Sequence, residues 1–125
     1  MTRDERKAGV KQNSTPRLVG TPIDASHFAE IRTLHTDPRV IATLSVDGNI
    51  FTEDQTRAFL NRAAEHWAQH DFGLWIFHSR STGDFVGYCG IKHAAVELKD
   101  AIELAYAVSS AHWSKGFATE CPTLR

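Results

Sequence analysis

A glycine-containing stretch near the end of the chain is the first feature whose residue types could do chemistry. It reads Lys115-Gly116-Phe117-Ala118-Thr119-Glu120 and leads toward helix-forming residues. Successive backbone N–H groups in such a loop, continuing into a helix N-terminus, form a concave array of donors for a pyrophosphate. Gly116 and Ala118 are small enough for the backbone to approach a ligand closely, and Lys115 adds positive charge. The same residues could form an ordinary surface turn between a strand and a helix, so the pattern needs support from its context.

Histidines and cysteines are the other residues that could do chemistry. His66 and His70 are four residues apart on a predicted helix, a spacing at which two ligands can share a metal ion. No third ligand at a recognisable spacing accompanies them, which favours a solvated helix face. Cys89 and Cys121 give neither a metal-ligand spacing nor a disulfide framework, and we expect both to be reduced thiols. We therefore expect no metal cofactor.

The chain before the glycine-containing loop must supply the elements that position it. Residues 1–14 are polar and without periodicity, so they are predicted to form a mobile tail. Residues 17–23 predict a first strand near a sheet edge, because Pro22 has no N–H to donate. Asp24 can cap a first helix that ends near Asp37-Pro38. The apolar residues of that helix are Phe28, Ile31 and Leu34.

A capping box predicts a second helix. In Thr52-Glu53-Asp54-Gln55, the Thr and Gln side chains can each satisfy an otherwise unpaired N–H group at a helix N-terminus. The helix is expected to reach about Gln69, with a buried stripe formed by Phe59, Ala63 and Trp67. Residues 40–51 carry the turn signal Asp47-Gly48-Asn49 and predict no regular structure.

Three strands are predicted after this helix. Residues 72–78 are apolar on both faces, which is typical of a strand in the middle of a covered sheet. Residues 85–91 follow a turn at 81–84 and predict the second strand of an antiparallel hairpin, with Gly87 and Gly90 typical of a bulge or a close backbone approach. Residues 100–108 alternate large apolar residues with small ones, which is the clearest strand pattern in the chain.

This order of elements, together with the motif that follows the last strand, resembles the GNAT (GCN5-related N-acetyltransferase) superfamily. Glu103-Leu104-Ala105-Tyr106, followed by the run from His112 to Glu120, is similar to the acetyl-CoA motif of the branch that contains the ribosomal-protein N-terminal (Rim-type) acetyltransferases. Trp113 agrees with that branch and departs from the broader signature. The residues that match the branch pattern at its end are Gly116, Ala118, Thr119 and Glu120. The resemblance covers about residues 15–120.

The resemblance implies a fold and a co-substrate. The fold is a mixed α/β (α+β) domain with a mostly antiparallel sheet and two N-terminal helices, and the co-substrate is acetyl-CoA. Its pantetheine arm would pair with the backbone of the last strand as an added strand does, and one N–H there would polarise the thioester carbonyl. The residues implied for the pantetheine arm are Ala107, Val108 and Ser109. The residues implied for the pyrophosphate are Lys115, Gly116, Phe117, Ala118 and Thr119.

The reaction implied by the resemblance is attack of a neutral amine on an acetyl thioester, for which a base must first deprotonate the ammonium. Glu103 is the only acid on the small-residue face of the last strand, which makes it the candidate base, although a solvated or salt-bridged acid would look the same. The acceptor would be a primary amine, either a protein N-terminus or a small molecule. Tyr106 and Trp113 are interpreted as packing aromatics and His112 as a loop histidine, with substrate contacts as the alternative.

Composition limits the other classes of function. The 125 residues, 42% hydrophobic and 23% charged, suit one globular domain. The net charge of -1, with both signs scattered, predicts no nucleic-acid or membrane partner. The first fourteen residues lack the apolar centre of a secretory signal, so the expected location is the cytoplasm.

The end of the chain departs from the resemblance. We expect a tail at 1–14, a partial N-acetyltransferase domain at 15–120 and a non-family ending at 121–125. Pro122 falls about where the cofactor helix should continue, at a cost of roughly 3 kcal/mol. The expectation is a truncated domain without the C-terminal strands and helices, incomplete or inactive. The alternative is a non-catalytic interaction module that pairs with a partner, or as a homodimer, through the exposed edge of strand 100–108.

Overall fold

The described residues form one antiparallel sheet with three helices inserted between its second and third strands. A computed structural model describes residues 13–45, 47–96, 99–113 and 115–117. The strands, which lie side by side in chain order, are β1 Asn13–Ser14, β2 Leu18–Pro22, β3 Leu74–Ser79, β4 Phe85–Val96 and β5 Lys99–Val108. The helices are α1 Phe28–His35, α2 Pro38–Leu44 and α3 Glu53–His70. The predicted mixed α/β fold with an antiparallel sheet is confirmed.

The N-terminal edge of the sheet holds a short strand that was not predicted. Asn13 and Ser14 pair with β2, so the last two residues of the expected tail belong to the sheet, while residues 1–12 lie outside the described part of the chain. The predicted first strand is β2. Ile23 donates its N–H to the carbonyl oxygen of Leu74 on β3, so the nitrogen of Pro22 faces away from β3, where no ladder bond is lost.

Both predicted helix starts are confirmed by their hydrogen bonds. The Asp24 carboxylate accepts from the N–H of Ser26 at 2.9 Å, and a single turn of 3-10 helix precedes α1. At α3, the Thr52 N–H donates to the Gln55 amide oxygen at 2.7 Å and the Gln55 N–H donates to the Thr52 hydroxyl at 3.1 Å. Helix α3 ends at His70, one residue beyond the expected end.

Helix α2 is a second element that the sequence pattern missed. Asp37-Pro38 was interpreted as the end of a helix, and residues 40–51 as irregular. The Asp37 carboxylate instead accepts from the N–H of Arg39 at 2.9 Å and caps α2, with proline at its first position. Val40 and Ile41 are 1% and 0% exposed, and this burial stabilises the short helix.

The core has one layer on each face of the sheet. On the first face, the helices pack against β3 and β4 through residues that include Ile31, Leu34, Leu60, Ile76 and Tyr88. On the second face, a smaller cluster is formed by Leu18, Phe77, Val86 and Cys89, with Trp75, Val108 and Phe117 packed against it. Strand β3 contributes to both clusters, as predicted for a central strand.

The predicted buried stripe of α3 is partly wrong. Ala63 is buried as expected, but the other fully buried positions are Thr56 and Leu60. Phe59 and Trp67 pack against the margin of the cluster and are only half-buried. The apolar face of α3 is therefore rotated by about one position from the predicted one.

The two glycines of β4 confirm the expectation of close backbone approach. The register shifts at Phe77/His78, where β4 accommodates an extra residue next to Gly87. A Cβ atom on Gly87 would overlap the carbonyl oxygen of Ala107 on β5, and one on Gly90 would overlap that of Gly73. Cys89 is disulfide-bonded, so the expectation of a reduced thiol is wrong at this position, while Cys121 lies outside the described residues.

Candidate functional site

The candidate site lies where β5 ends and the glycine-containing loop begins. On one side β5 pairs with β4, and none of the described strands lies on its other side. Ser109 continues the ladder one residue past the strand, because its N–H donates to the carbonyl oxygen of Val86 at 2.7 Å. The outer edge of β5 is therefore the part of the sheet that can accept an extended ligand.

The ladder decides which backbone groups point to that edge. Hydrogen bonding in an antiparallel pair alternates, so Ser109 and Ala107 bond toward β4, while Val108 and Tyr106 direct their N–H and C=O groups to the opposite edge. The position of the Ala107 carbonyl against Gly87 of β4 agrees with this assignment. Of the three residues that the resemblance implied for the pantetheine arm, only Val108 presents its backbone outward.

Trp113 is hydrogen-bonded to one of the two backbone groups of Val108 that face the outer edge. Its Nε1–H donates to the Val108 carbonyl oxygen at 2.7 Å, and the Arg39 guanidinium lies 5.0 Å from the Trp113 ring centroid. A single turn of 3-10 helix at Ser110–His112 brings the indole back over the strand end. These contacts agree with the interpretation of Trp113 as a packing aromatic. The Val108 N–H is then the outward group at this level that can meet a carbonyl oxygen.

A hydrogen bond connects α2 to the loop that follows β5. The Ser110 hydroxyl donates to Asp37 Oδ2 at 2.5 Å, across 73 residues of chain. This bond, with smaller contributions from the N–H groups at the start of α2, holds the pKa of the Asp37 carboxyl below its ordinary value. Asp37 is thus an ionised acid beside the end of β5. In the sequence, the Asp37-Pro38 pair marks a helix boundary, but it does not reveal that Ser110 is the partner of Asp37.

The described part of the glycine-containing loop is a turn. Gly116 has φ of 78°, which is favourable for glycine and strained for other residues, and Phe117 takes the helical state directly after it. The Lys115 carbonyl oxygen accepts from Arg17 Nη1 at 2.8 Å. An extended loop would have contradicted the phosphate-binding hypothesis. Ala118 and Thr119, which belong to the same hypothesis, lie outside the described residues.

Glu103 lies on β5, where its backbone pairs with Lys92 of β4. Its side chain lies outside the described part of the structure. Val108 is five residue steps from Glu103, which corresponds to about 17 Å along the strand axis. A base at Glu103 would therefore need a chain of several water molecules to reach an amine near Val108.

The histidines singled out in the sequence pack against neighbouring rings. The rings of His66 and His70 are 4.5 Å apart at the end of α3, and His66 Nδ1 lies 2.9 Å from the Phe72 carbonyl oxygen. Among the described residues, no cluster of three or more His, Cys, Asp or Glu side chains could hold a metal ion. His112 packs its ring against Phe117, with centroids 5.6 Å apart, and its buried Nδ1 has no hydrogen-bond partner in the described part of the chain.

A buried network holds the segment between α2 and α3. The Thr56 hydroxyl lies 2.8 Å from His35 Nδ1 and 2.9 Å from Arg32 Nη1, and Arg32 Nη1 also donates to the Phe51 carbonyl oxygen at 2.9 Å. His35 is 1% exposed. Burial, and then the Arg32 charge, lower the pKa of His35 to about 4, so its ring is neutral at pH 7. Sequence pattern gave no signal for this network.

Comparison with known proteins identifies the family. A family model described as the acetyltransferase (GNAT) domain matches residues 17–123. The chain belongs to the GNAT acetyltransferase family. The YkkB protein of Bacillus subtilis (strain 168), itself uncharacterized, is 31% identical over 87 residues, which are 70% of this chain and 49% of YkkB. The chain thus spans about half the length of this curated relative.

Two solved structures are similar to this GNAT chain. A protein from Bordetella pertussis, assigned to the GnaT-family acetyltransferases, has 24% identity and a TM-score of 0.74, covering 88% of this chain and 65% of its own. An acetyltransferase from Agrobacterium tumefaciens str. C58 has 22% identity and a TM-score of 0.71, covering 95% of this chain and 66% of its own. At these identities the likeness shows the fold. Within the described residues, no helix is long and apolar enough to cross a membrane.

Proposed function

We propose that this chain carries the acetyl-CoA site of an amine N-acetyltransferase. The observation that carries the proposal is the pairing of two features at one end of β5. The Val108 N–H points to the open edge of the sheet, and the turn at Gly116 begins eight residues later. A thioester carbonyl and a pyrophosphate need donors of these two kinds.

The loop from Lys115 to Thr119 is the proposed pyrophosphate site. The positive φ at Gly116 lets consecutive N–H groups turn toward one side, and Lys115 supplies a cation that is exposed to solvent. Phe117 is in the helical state, and N–H groups at a helix start here would complete the donor array. The residues fit an anionic ligand because the described loop brings no carboxylate to this position.

The edge of β5 is the proposed site for the pantetheine arm, which supplies the activated acetyl group when acetyl-CoA is bound. The Val108 N–H would donate to the thioester carbonyl oxygen and stabilise the negative charge that develops there. The neutral amine nitrogen then forms a bond to the carbonyl carbon as the bond from that carbon to sulfur breaks, coenzyme A leaves as its thiolate, and the amine proton passes to a base. Glu103, acting through water, remains the proposed base.

The proposed acceptor is a primary amine, either a protein N-terminus or a small molecule. Similarity of the motif between His112 and Glu120 to the Rim-type branch favours the α-amine of a protein. The ionised Asp37 carboxylate beside the end of β5 would favour a cationic ammonium over an anionic acceptor. A cytoplasmic location remains a prediction.

Two matched glycine variants test the proposal. Gly116 and Gly83 both have positive φ, 78° and 79°, but Gly83 lies in the turn between β3 and β4. Alanine at either position should cost a similar free energy of unfolding, on the order of 1 to 2 kcal/mol. In titration calorimetry with acetyl-CoA, Gly116→Ala should bind at least tenfold more weakly than the wild type, while Gly83→Ala binds normally. Equal affinities of all three proteins, or no saturable binding by the wild type, would contradict the proposal.

A non-catalytic interaction module is the second candidate function, favoured by the exposed surface of the β5 edge. Tyr106 is 49% exposed and Ile91 on the neighbouring strand is 37% exposed, so apolar area continues from the edge onto the second face. Pairing of this edge with a second copy would give a homodimer. Light scattering coupled to gel filtration separates the two candidates, because only the second predicts a concentration-dependent dimer that acetyl-CoA leaves unchanged.

A further inference from the structure

Arg17, at the other end of the chain, holds the glycine-containing loop. Its Nη1 donates to the Lys115 carbonyl oxygen at 2.8 Å, and its guanidinium carbon lies 4.3 Å from the Phe117 ring centroid. The two contacts flank Gly116, the residue with positive φ. The hydrogen bond spans 98 residues of sequence, so it is a tertiary contact and not part of the loop itself.

The backbone of Arg17 is itself held on both sides. The Arg17 carbonyl oxygen accepts from the N–H of Arg80 at 2.7 Å, and Arg80 Nη2 donates to the Thr15 carbonyl oxygen at 3.0 Å. Thr15 is 5% exposed, and its hydroxyl accepts from the N–H of Leu18, which is 2% exposed, at 3.1 Å. Arg17 therefore projects from a turn that is fixed to β2 and to the end of β3, and it can act as an anchor.

The geometry of the peptide bond determines how Arg17 orients the loop. In a trans peptide the N–H of one residue points opposite to the C=O of the preceding residue, and the described residues contain no cis peptide. Holding the Lys115 carbonyl oxygen toward Arg17 therefore aims the Gly116 N–H away from Arg17. The stacking of the guanidinium on the Phe117 ring restrains the residue that follows Gly116.

We propose that Arg17 is a positioning residue for the glycine-containing loop, setting the turn from Lys115 to Phe117 in the conformation that binds the pyrophosphate of acetyl-CoA. The ligand named here rests on the proposed function, whereas the ordering of the turn by Arg17 does not. The alternative is that Arg17 acts only as a nearby positive charge. Lysine distinguishes the two, because it keeps the charge but lacks the planar guanidinium that bonds and stacks at once.

The first arm of the test needs no ligand. Millisecond hydrogen–deuterium exchange is measured on the full chain for the amides of residues 115–117, in the wild type, Arg17→Ala and Arg17→Lys. Both variants should exchange about tenfold faster, the factor for the loss of about 1.4 kcal/mol, which is the scale of one hydrogen bond and one exposed cation–π contact. Arg62→Ala, which removes the same charge from an exposed position on α3, should match the wild type. Unchanged exchange in both Arg17 variants overturns the proposal.

The second arm measures affinity for coenzyme A and for pantetheine, which lacks the pyrophosphate. Both Arg17 variants should bind coenzyme A about tenfold more weakly and pantetheine as the wild type does. An equal loss for both ligands would mean general destabilisation, and wild-type affinity in Arg17→Lys would mean a charge effect, and either result overturns the proposal. If the wild type binds neither ligand while the exchange arm responds, the proposed function fails and the positioning of the turn stands. Melting curves check folding, and Arg17→Lys keeps the test open if Arg17→Ala does not fold.

Discussion

The buried His35 leads to a specific prediction of how the free energy of unfolding depends on pH. The residue is 1% exposed, its ring contacts the rings of Phe51 and Phe59, and its Nδ1 is hydrogen-bonded to the Thr56 hydroxyl. Burial, and then the neighbouring Arg32 charge, lower its pKa from 6.5 to about 4. In the unfolded chain the same ring should titrate near the ordinary value of about 6.5.

The sign follows from which state takes up the proton. Between pH 6.5 and about 4 the unfolded chain binds a proton at His35 that the folded chain does not bind, so the free energy of unfolding decreases as the pH falls. At 1.36 kcal/mol for each pH unit, the full loss is on the order of 3 kcal/mol. This contribution is complete above pH 6.5 and is lost by about pH 4.

Urea denaturation of wild type and His35→Asn at several pH values between 7.5 and 4 measures this effect. Asparagine can keep a polar atom near the Thr56 hydroxyl but does not titrate, so the variant should be less stable at pH 7.5 and lose less stability on acidification. On going from pH 7.5 to 4, the wild type should lose about 3 kcal/mol more of its free energy of unfolding than the variant does. The contributions of the carboxylates cancel in this comparison, because both proteins contain them. Asn61→Ala, an uncharged substitution at an exposed position on α3, should keep the wild-type slope. Parallel curves for wild type and His35→Asn would refute the reasoning.

Three further substitutions test the elements around the site. Thr52→Ala removes the cap of α3 and should lower the free energy of unfolding by about 1 kcal/mol in urea titrations, with no change if the capping box is dispensable. Gly87→Ala places a methyl group against the Ala107 carbonyl oxygen and should cost roughly 1 to 3 kcal/mol by thermal melting, a wild-type melting temperature being the contrary result. Trp113→Phe keeps a ring beside Arg39 but loses the bond to the Val108 carbonyl, so the unfolding free energy should drop by about 1 kcal/mol; an unchanged value would mean that water replaces the indole.

Local signals in the sequence were enough for most elements of the fold. The capping box at Thr52 needs only side chains within three residues of each other, and it was found where predicted. The alternation of residues 100–108 and the apolar run of β3 likewise report burial on the two faces of a strand, which period alone reveals. The Asp37-Pro38 pair was the exception, because it is compatible with both the end of one helix and the start of the next.

The arrangement of the site depends on contacts between distant parts of the chain. The register with β4 determines that Val108, and not Ala107 or Ser109, directs its backbone groups to the open edge. A register shift of one residue would instead direct those of Ala107 and Ser109 there. The hydrogen bond from Ser110 to Asp37 spans 73 residues and that from Arg17 to Lys115 spans 98. Residue types indicated a phosphate loop, but no local pattern encodes which side chain will reach it. That is fixed only when the sheet brings the start of β2 and the end of β5 together, because packing of the whole chain sets those distances.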